Sequence, residues 1–126
     1  MNPISTIVVK PSLPKPLQGL EALAYNIRWA WDPDTIDLFR RIDPTLWEKV
    51  YHNPIRMLSD IDQERLNQLV ESPGFMAHFK RASEALHGFM DGDTWFKTNH
   101  SKPASDLQIA YFSAEFGLTE SLPIYS

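Results

Sequence analysis

The 126 residues contain no cysteine. That excludes a disulfide scaffold, a thiolate nucleophile and any zinc or iron–sulfur site built on Cys ligands. Glycine is scarce: Gly19, Gly74, Gly88, Gly92 and Gly117 are the five, and each stands alone. No Gly-x-Gly-x-x-Gly, Walker or Gly-x-Ser-x-Gly sequence can be assembled from them, so no glycine-rich loop here cradles a phosphate. Basic charge is short as well, 12 residues against 16 acidic ones, for a net charge of -4. Binding a phosphate backbone needs the opposite balance, and no nucleic-acid partner is expected. No apolar run approaches the ~20 residues that span a bilayer, so no membrane partner is expected either. Met1-Asn2-Pro3-Ile4-Ser5-Thr6 lacks the basic start of a signal peptide. The location expected from this is cytoplasmic.

What is present suits a folded domain. Hydrophobic residues make up 43%, aromatic 12% and charged 22%, and the length allows one core of the usual roughly 100–150-residue size. Proline, with ten residues, outnumbers glycine two to one. Asp32-Pro33, Asp43-Pro44, Asn53-Pro54 and Ser72-Pro73 each put a capping side chain directly before a proline. Asp, Asn and Ser accept hydrogen bonds from orphan helix N–H groups, and proline at the first helical position has no N–H to leave unpaired. These four dipeptides predict four helix starts.

The apolar spacing agrees. Leu20, Leu23, Ile27 and Trp31 form one stripe of a helix from Pro16 to near Asp32. Ile36, Phe39 and Ile42 follow Pro33, and Leu46, Trp47, Val50 and Tyr51 follow Pro44. Ile55 and Leu58 lead to a helix over Gln63–Glu71, capped by Asp62, with Leu66, Leu69 and Val70 inward. Phe75, Phe79, Ala82, Leu86 and Phe89 keep period from Pro73 to about Met90, and Asp91-Gly92 marks the stop. The fold class expected is mostly α, a helical array over residues 1–102. From residue 103 to 126 the character changes. Asp106 to Ser113 is an apolar run without helical period, suited to a strand buried on both faces. One strand makes no sheet, so it reads as the first strand of a Rossmann-like domain, and the chain as part of something larger.

Candidate sites are few. Tyr25 and Trp29, four apart on a helix, would share a face, and Ile27 and Trp31 another. An aromatic face can meet a sugar or another domain, though core or interface packing is the weightier reading. His52, His78, His87 and His100 show no zinc-binding spacing, and no metal site is expected. His52 is assigned to turn chemistry, the others to surface or structural roles. Glu115 and Glu120 flank the strand end, where α/β folds place their chemistry. A carboxylate pair there could serve glycoside hydrolysis, a weak signal at this spacing.

Four stretches together resemble the N-terminus of bacterial-type α-glucan phosphorylases, which carry a GT-B fold. They are Leu23-Ala24-Tyr25-Asn26-Ile27-Arg28-Trp29-Ala30-Trp31-Asp32-Pro33, Leu38-Phe39-Arg40-Arg41-Ile42-Asp43-Pro44-Thr45-Leu46-Trp47, His52-Asn53-Pro54-Ile55-Arg56-Met57-Leu58, and Ile109-Ala110-Tyr111-Phe112-Ser113-Ala114-Glu115-Phe116-Gly117-Leu118, continued by Glu120-Ser121-Leu122-Pro123-Ile124-Tyr125-Ser126. The resemblance implies an enzyme that uses orthophosphate to release glucose 1-phosphate from the end of an α-1,4-glucan, such as glycogen or maltodextrin. It implies a pyridoxal 5′-phosphate cofactor, held by a lysine outside this sequence, and the rest of its own chain as partner. Whether the parent enzyme is a homo-oligomer stays open. Glu115 would support the cleft by hydrogen bonding, while Ser121, Leu122 and Ser126 would lead into a Gly-Gly-Leu-Gly loop beside the substrates. Thr119 departs from the histidine expected in many relatives. By itself the segment is expected to be inactive and to bind no cofactor. The alternative is a non-catalytic helical interaction or glucan-binding module, with Tyr25 and Trp29 as its face.

Overall fold

The computed structural model describes residues 11–99, 110–119 and 121. It is mostly helical, and each predicted proline start is a helix start. The helices are α1 (Gly19–Tyr25), α2 (Pro33–Ile42), α3 (Pro44–Lys49), α4 (Pro54–Asp60), α5 (Gln63–Val70), α6 (Pro73–Asp91) and α7 (Trp95–Asn99). The Asp43 side chain accepts from the Leu46 N–H, Asn53 from Arg56, Asp62 from Glu64 and Ser72 from Phe75. Asp32 differs. Its carboxylate takes the Thr35 hydroxyl at 2.6 Å and the Arg28 guanidinium at 2.8 Å instead of a backbone N–H.

The helix expected from Pro16 to Asp32 is broken at Asn26. That residue is extended (φ -92, ψ 114), and its side chain accepts from the Arg28 N–H, which starts a 3-10 turn over Ile27–Trp31. Asparagine competes with the helix by bonding its own neighbours, and here it wins. Leu20 and Leu23 are buried as expected, but Ile27 and Trp31 are exposed.

The core is continuous. Leu17, Leu20, Leu38, Phe39, Ile42, Trp47, Met57 and Leu66 are all sealed within it. Leu38 and Met57 are buried although the stripe reading named neither, while Ile36, Leu46, Leu58 and Val70 pack only at its edge. α6, 19 residues and therefore about 28 Å long, supports α1, α2 and α5. Phe75, Phe79, Ala82 and Leu86 face inward. Phe89, expected to join them, is exposed, and the Arg28 guanidinium covers its ring at 5.2 Å. Gly92 ends the helix, its N–H bonded to Gly88 O at 3.0 Å.

α2 and α6 are also tied by polar contacts. Arg81 donates to both Asp34 carboxylate oxygens, at 2.6 and 3.0 Å. Between the helices lies His78, buried, with Nδ1 2.9 Å from Arg41 Nη1 and Nε2 2.9 Å from the Asp34 carbonyl. A guanidinium can only donate, so Nδ1 accepts and the ring proton sits on Nε2.

Of the strand expected over residues 106–113, 106–109 lie outside the described residues, and Ala110–Ser113 do not form one. Among the described residues there is no strand at all. A strand needs a neighbour to take up its N–H and C=O groups, and none is at hand. Tyr111 and Phe112 are exposed, and the chain turns instead through a 3-10 helix, Ala114–Gly117.

Candidate functional site

The break at Asn26 decides where the aromatic residues go. Tyr25 closes α1 pointing outward, 71% exposed, whereas Trp29, on the 3-10 turn, points inward at 9%. The two do not share a face, so the surface expected of the pair is not formed. Tyr25 lines a shallow hollow with Leu13, Glu21 and Ile55. Trp29 enters an aromatic cluster centred on Trp47.

Trp47 is held on α3 by the Asp43 cap and is buried. Phe39 stacks parallel to it at 6.0 Å, His52 lies over it at 5.2 Å and 24°, and Trp29 meets it edge-on at 6.3 Å and 80°. Offset and edge-on pairs of this kind add to the stabilisation that burial alone provides. The Trp47 Nε1–H is buried without an acceptor.

His52 reaches Trp47 by an unusual route. After α3, Tyr51 and His52 both adopt left-handed backbone, with φ of 54 and 57. For residues with a Cβ this is strained, and such strain concentrates where a side chain must be aimed. Here it turns the chain between α3 and α4 sharply enough to lay the imidazole back on the helix it has just left. The His52 N–H bonds Trp47 O at 3.0 Å, and Nε2 lies 3.0 Å from Glu48 Oε2.

Together Trp29, Trp47 and His52 wall a groove of about 520 Å³. Ile36 and Arg40 of α2 line one side, and Leu118 and Thr119 come in from the C-terminal segment. Arg40 is paired with Asp37 at 2.6 Å. The groove is therefore an aromatic trough with a single guanidinium and a hydroxyl at its edges, suited to holding an apolar chain segment or a ring face. It has no carboxylate pair for acid–base catalysis and no lysine among its lining residues. No cluster of three or more His, Asp or Glu able to hold a metal occurs among the described residues, and no helix among them is long and apolar enough to cross a membrane.

Glu115 is exposed on the 3-10 turn, its N–H bonded to Ser113 Oγ at 3.2 Å, and is not one of the residues lining the groove. The Ser121 hydroxyl is 2.7 Å from Thr119 Oγ1, which places it just beyond the groove's rim. Glu120, Leu122, Ser126 and His100 lie outside the described residues. His87 pairs with Asp91 on the surface at 2.9 Å. Sequence reading missed the Trp47–His52 stack and the place of Arg40. The signal available was the helix end Tyr51-His52-Asn53-Pro54, where a turn must form but no glycine is supplied.

Residues 13–122 match a family described as a protein of unknown function, DUF3417. The chain belongs to the DUF3417 family. It is 35% identical over 130 residues to the glycogen phosphorylase of Mycobacterium tuberculosis, an alignment covering 100% of this chain and 15% of that protein. It is 36% identical over 119 residues to the maltodextrin phosphorylase of Thermococcus litoralis, covering 94% and 14%. To the glycogen phosphorylase of Aquifex aeolicus it is 34% identical over 109 residues, covering 86% and 15%. The DUF3417 chain thus spans about 15% of the length of these curated relatives. No solved structure matches it. The resemblance to α-glucan phosphorylases read from the four sequence stretches is upheld by these relatives, and the DUF3417 match takes in the helical array and the groove with all its lining residues.

Proposed function

We propose that this DUF3417 chain is the N-terminal segment of a cytoplasmic α-glucan phosphorylase, which cleaves terminal α-1,4-linked glucose from glycogen or maltodextrin with orthophosphate to give glucose 1-phosphate. The observation that carries this reading is alignment to three phosphorylases over 86–100% of the chain at 34–36% identity. Residues 1–102 would form the helical part. Residues 103–126 would begin the first GT-B domain, with the Asp106–Ser113 run as its first strand. Glu115, Ser121 and Ser126 would then approach the catalytic cleft. The remainder of the chain is the partner this segment requires.

The segment by itself would not be catalytic. Pyridoxal 5′-phosphate needs a lysine and a cationic phosphate site, and the groove offers only Arg40, already paired with Asp37. The groove's lining does not fit that cofactor, which would be held by residues elsewhere in the longer protein. The rival reading, a free-standing interaction or glucan-binding module, would have to use the Trp29–Trp47–His52 trough, since Tyr25 and Trp29 point apart.

Two proteins test the reading: the 126 residues alone, and the product of the coding sequence extended past Ser126. Both are supplied with maltodextrin, orthophosphate and pyridoxal 5′-phosphate. The expected result is glucose 1-phosphate from the longer protein and none from the shorter. Product from the 126 residues, or none from the extended protein, would overturn it. Saturable quenching of tryptophan emission by maltodextrin in the short chain would instead support the module.

A further inference from the structure

The described part of the C-terminal segment meets the groove through Leu118 and Thr119. The wall they meet is unusually well fixed. Trp47 is held between Phe39 and His52 with Trp29 against its edge. The chain adopts two consecutive left-handed residues, Tyr51 and His52, to bring the imidazole onto that ring. Conformations of this kind persist only where the surrounding structure over-determines them. The His52 N–H to Trp47 O bond and the contact with Glu48 do so here. On the opposite side, the Thr119–Ser121 hydroxyl contact at 2.7 Å braces the segment just past the groove. Glu115 lies three residues before Leu118, on the 3-10 turn that delivers the segment to the wall.

We propose that Trp29, Trp47 and His52 form a seat that positions Leu118, Thr119 and Ser121, with His52 as its fixed wall. Resting on the phosphorylase reading, the seat also sets where Glu115 and Ser121 stand at the phosphorolysis site. His52 and Leu118 are then positioning residues, which act on the reaction without touching its substrates. The helical array thereby acquires a task beyond scaffolding, since its core ring cluster is the surface against which a cleft segment is registered.

His52→Asn isolates the effect, because asparagine is enriched in left-handed backbone and keeps the turn while removing the ring. Leu118→Ala removes the opposing side chain without touching the turn. In the 126-residue chain, nuclear Overhauser contacts from the Leu118 methyls to the Trp29 or Trp47 indole protons are expected. They should weaken severalfold in His52→Asn while far-ultraviolet circular dichroism is unchanged. Absent contacts in the wild type, or full-strength contacts in His52→Asn, would overturn the seat. In the extended protein each variant should lower kcat roughly tenfold with KM for maltodextrin unchanged, within the up to 10²-fold that small misplacements cost. The double variant should be no worse than either single one. Unchanged kcat in a variant that has lost the contacts would refute the catalytic role. If the wild-type extended protein makes no glucose 1-phosphate, the phosphorylase reading fails, and the contacts alone decide the seat.

Discussion

At the scale of single residues, Trp47 carries the largest opposing terms. Its indole has aromatic neighbours on three sides, yet its Nε1–H is buried without an acceptor. Leaving such a donor unpaired costs about 1–3 kcal/mol. Trp47→Phe removes the donor and keeps an aromatic ring, at the expense of some packing volume. The two effects oppose each other, and urea unfolding should show a change within about 1 kcal/mol, against the ~3–5 kcal/mol expected for Trp47→Ala. A loss in Trp47→Phe well beyond about 1 kcal/mol would mean that removing the unpaired N–H relieves nothing. His78 shows the opposite solution, a buried polar ring satisfied at both nitrogens by Arg41 and Asp34.

At the scale of elements, the helix starts were legible because a cap and a proline act within a few residues of one another. Asp43-Pro44, Asn53-Pro54, Asp62 and Ser72-Pro73 need no tertiary context to form their bonds. The break at Asn26 was not legible. Leu20, Leu23, Ile27 and Trp31 keep helical spacing whether or not the helix continues, and only the Asn26 side chain, bonded to the Arg28 N–H at 3.0 Å, ends it. Asn26→Ala should cost about 1 kcal/mol, as cap losses do, read as a lower midpoint in urea. An unchanged midpoint with unchanged helicity would show that the break is imposed by the core and not by the cap. The groove was illegible for a different reason. Residues 29, 36, 40, 47, 52, 118 and 119 come from separate elements, and no local pattern encodes their meeting. The strand expected from Asp106 onward was read from an apolar run without helical period, and its described part, Ala110–Ser113, has no neighbouring strand among the described residues.

At the scale of the whole molecule, α6 is the spine, and the polar tie to α2 makes it sensitive to acid. The hydrogen bond from Arg81 holds the Asp34 carboxyl below its ordinary value of 3.8, against the opposing pull of burial. A carboxyl lowered in the folded state adds stability that is complete above the unfolded value and is lost as pH falls through the folded one. The Tm difference between wild type and Asp34→Asn should therefore be constant at neutral pH and shrink below about pH 3.8. A difference that grows in acid would refute this origin. The aromatic cluster has a last consequence, an optical one. Trp29 and Trp47 are buried edge to face, while Trp31 and Trp95 are 64% and 73% exposed. Iodide will quench the second pair and spare the first. The coupled indoles will produce a near-ultraviolet dichroic band that reports the packing of the groove wall without any added label.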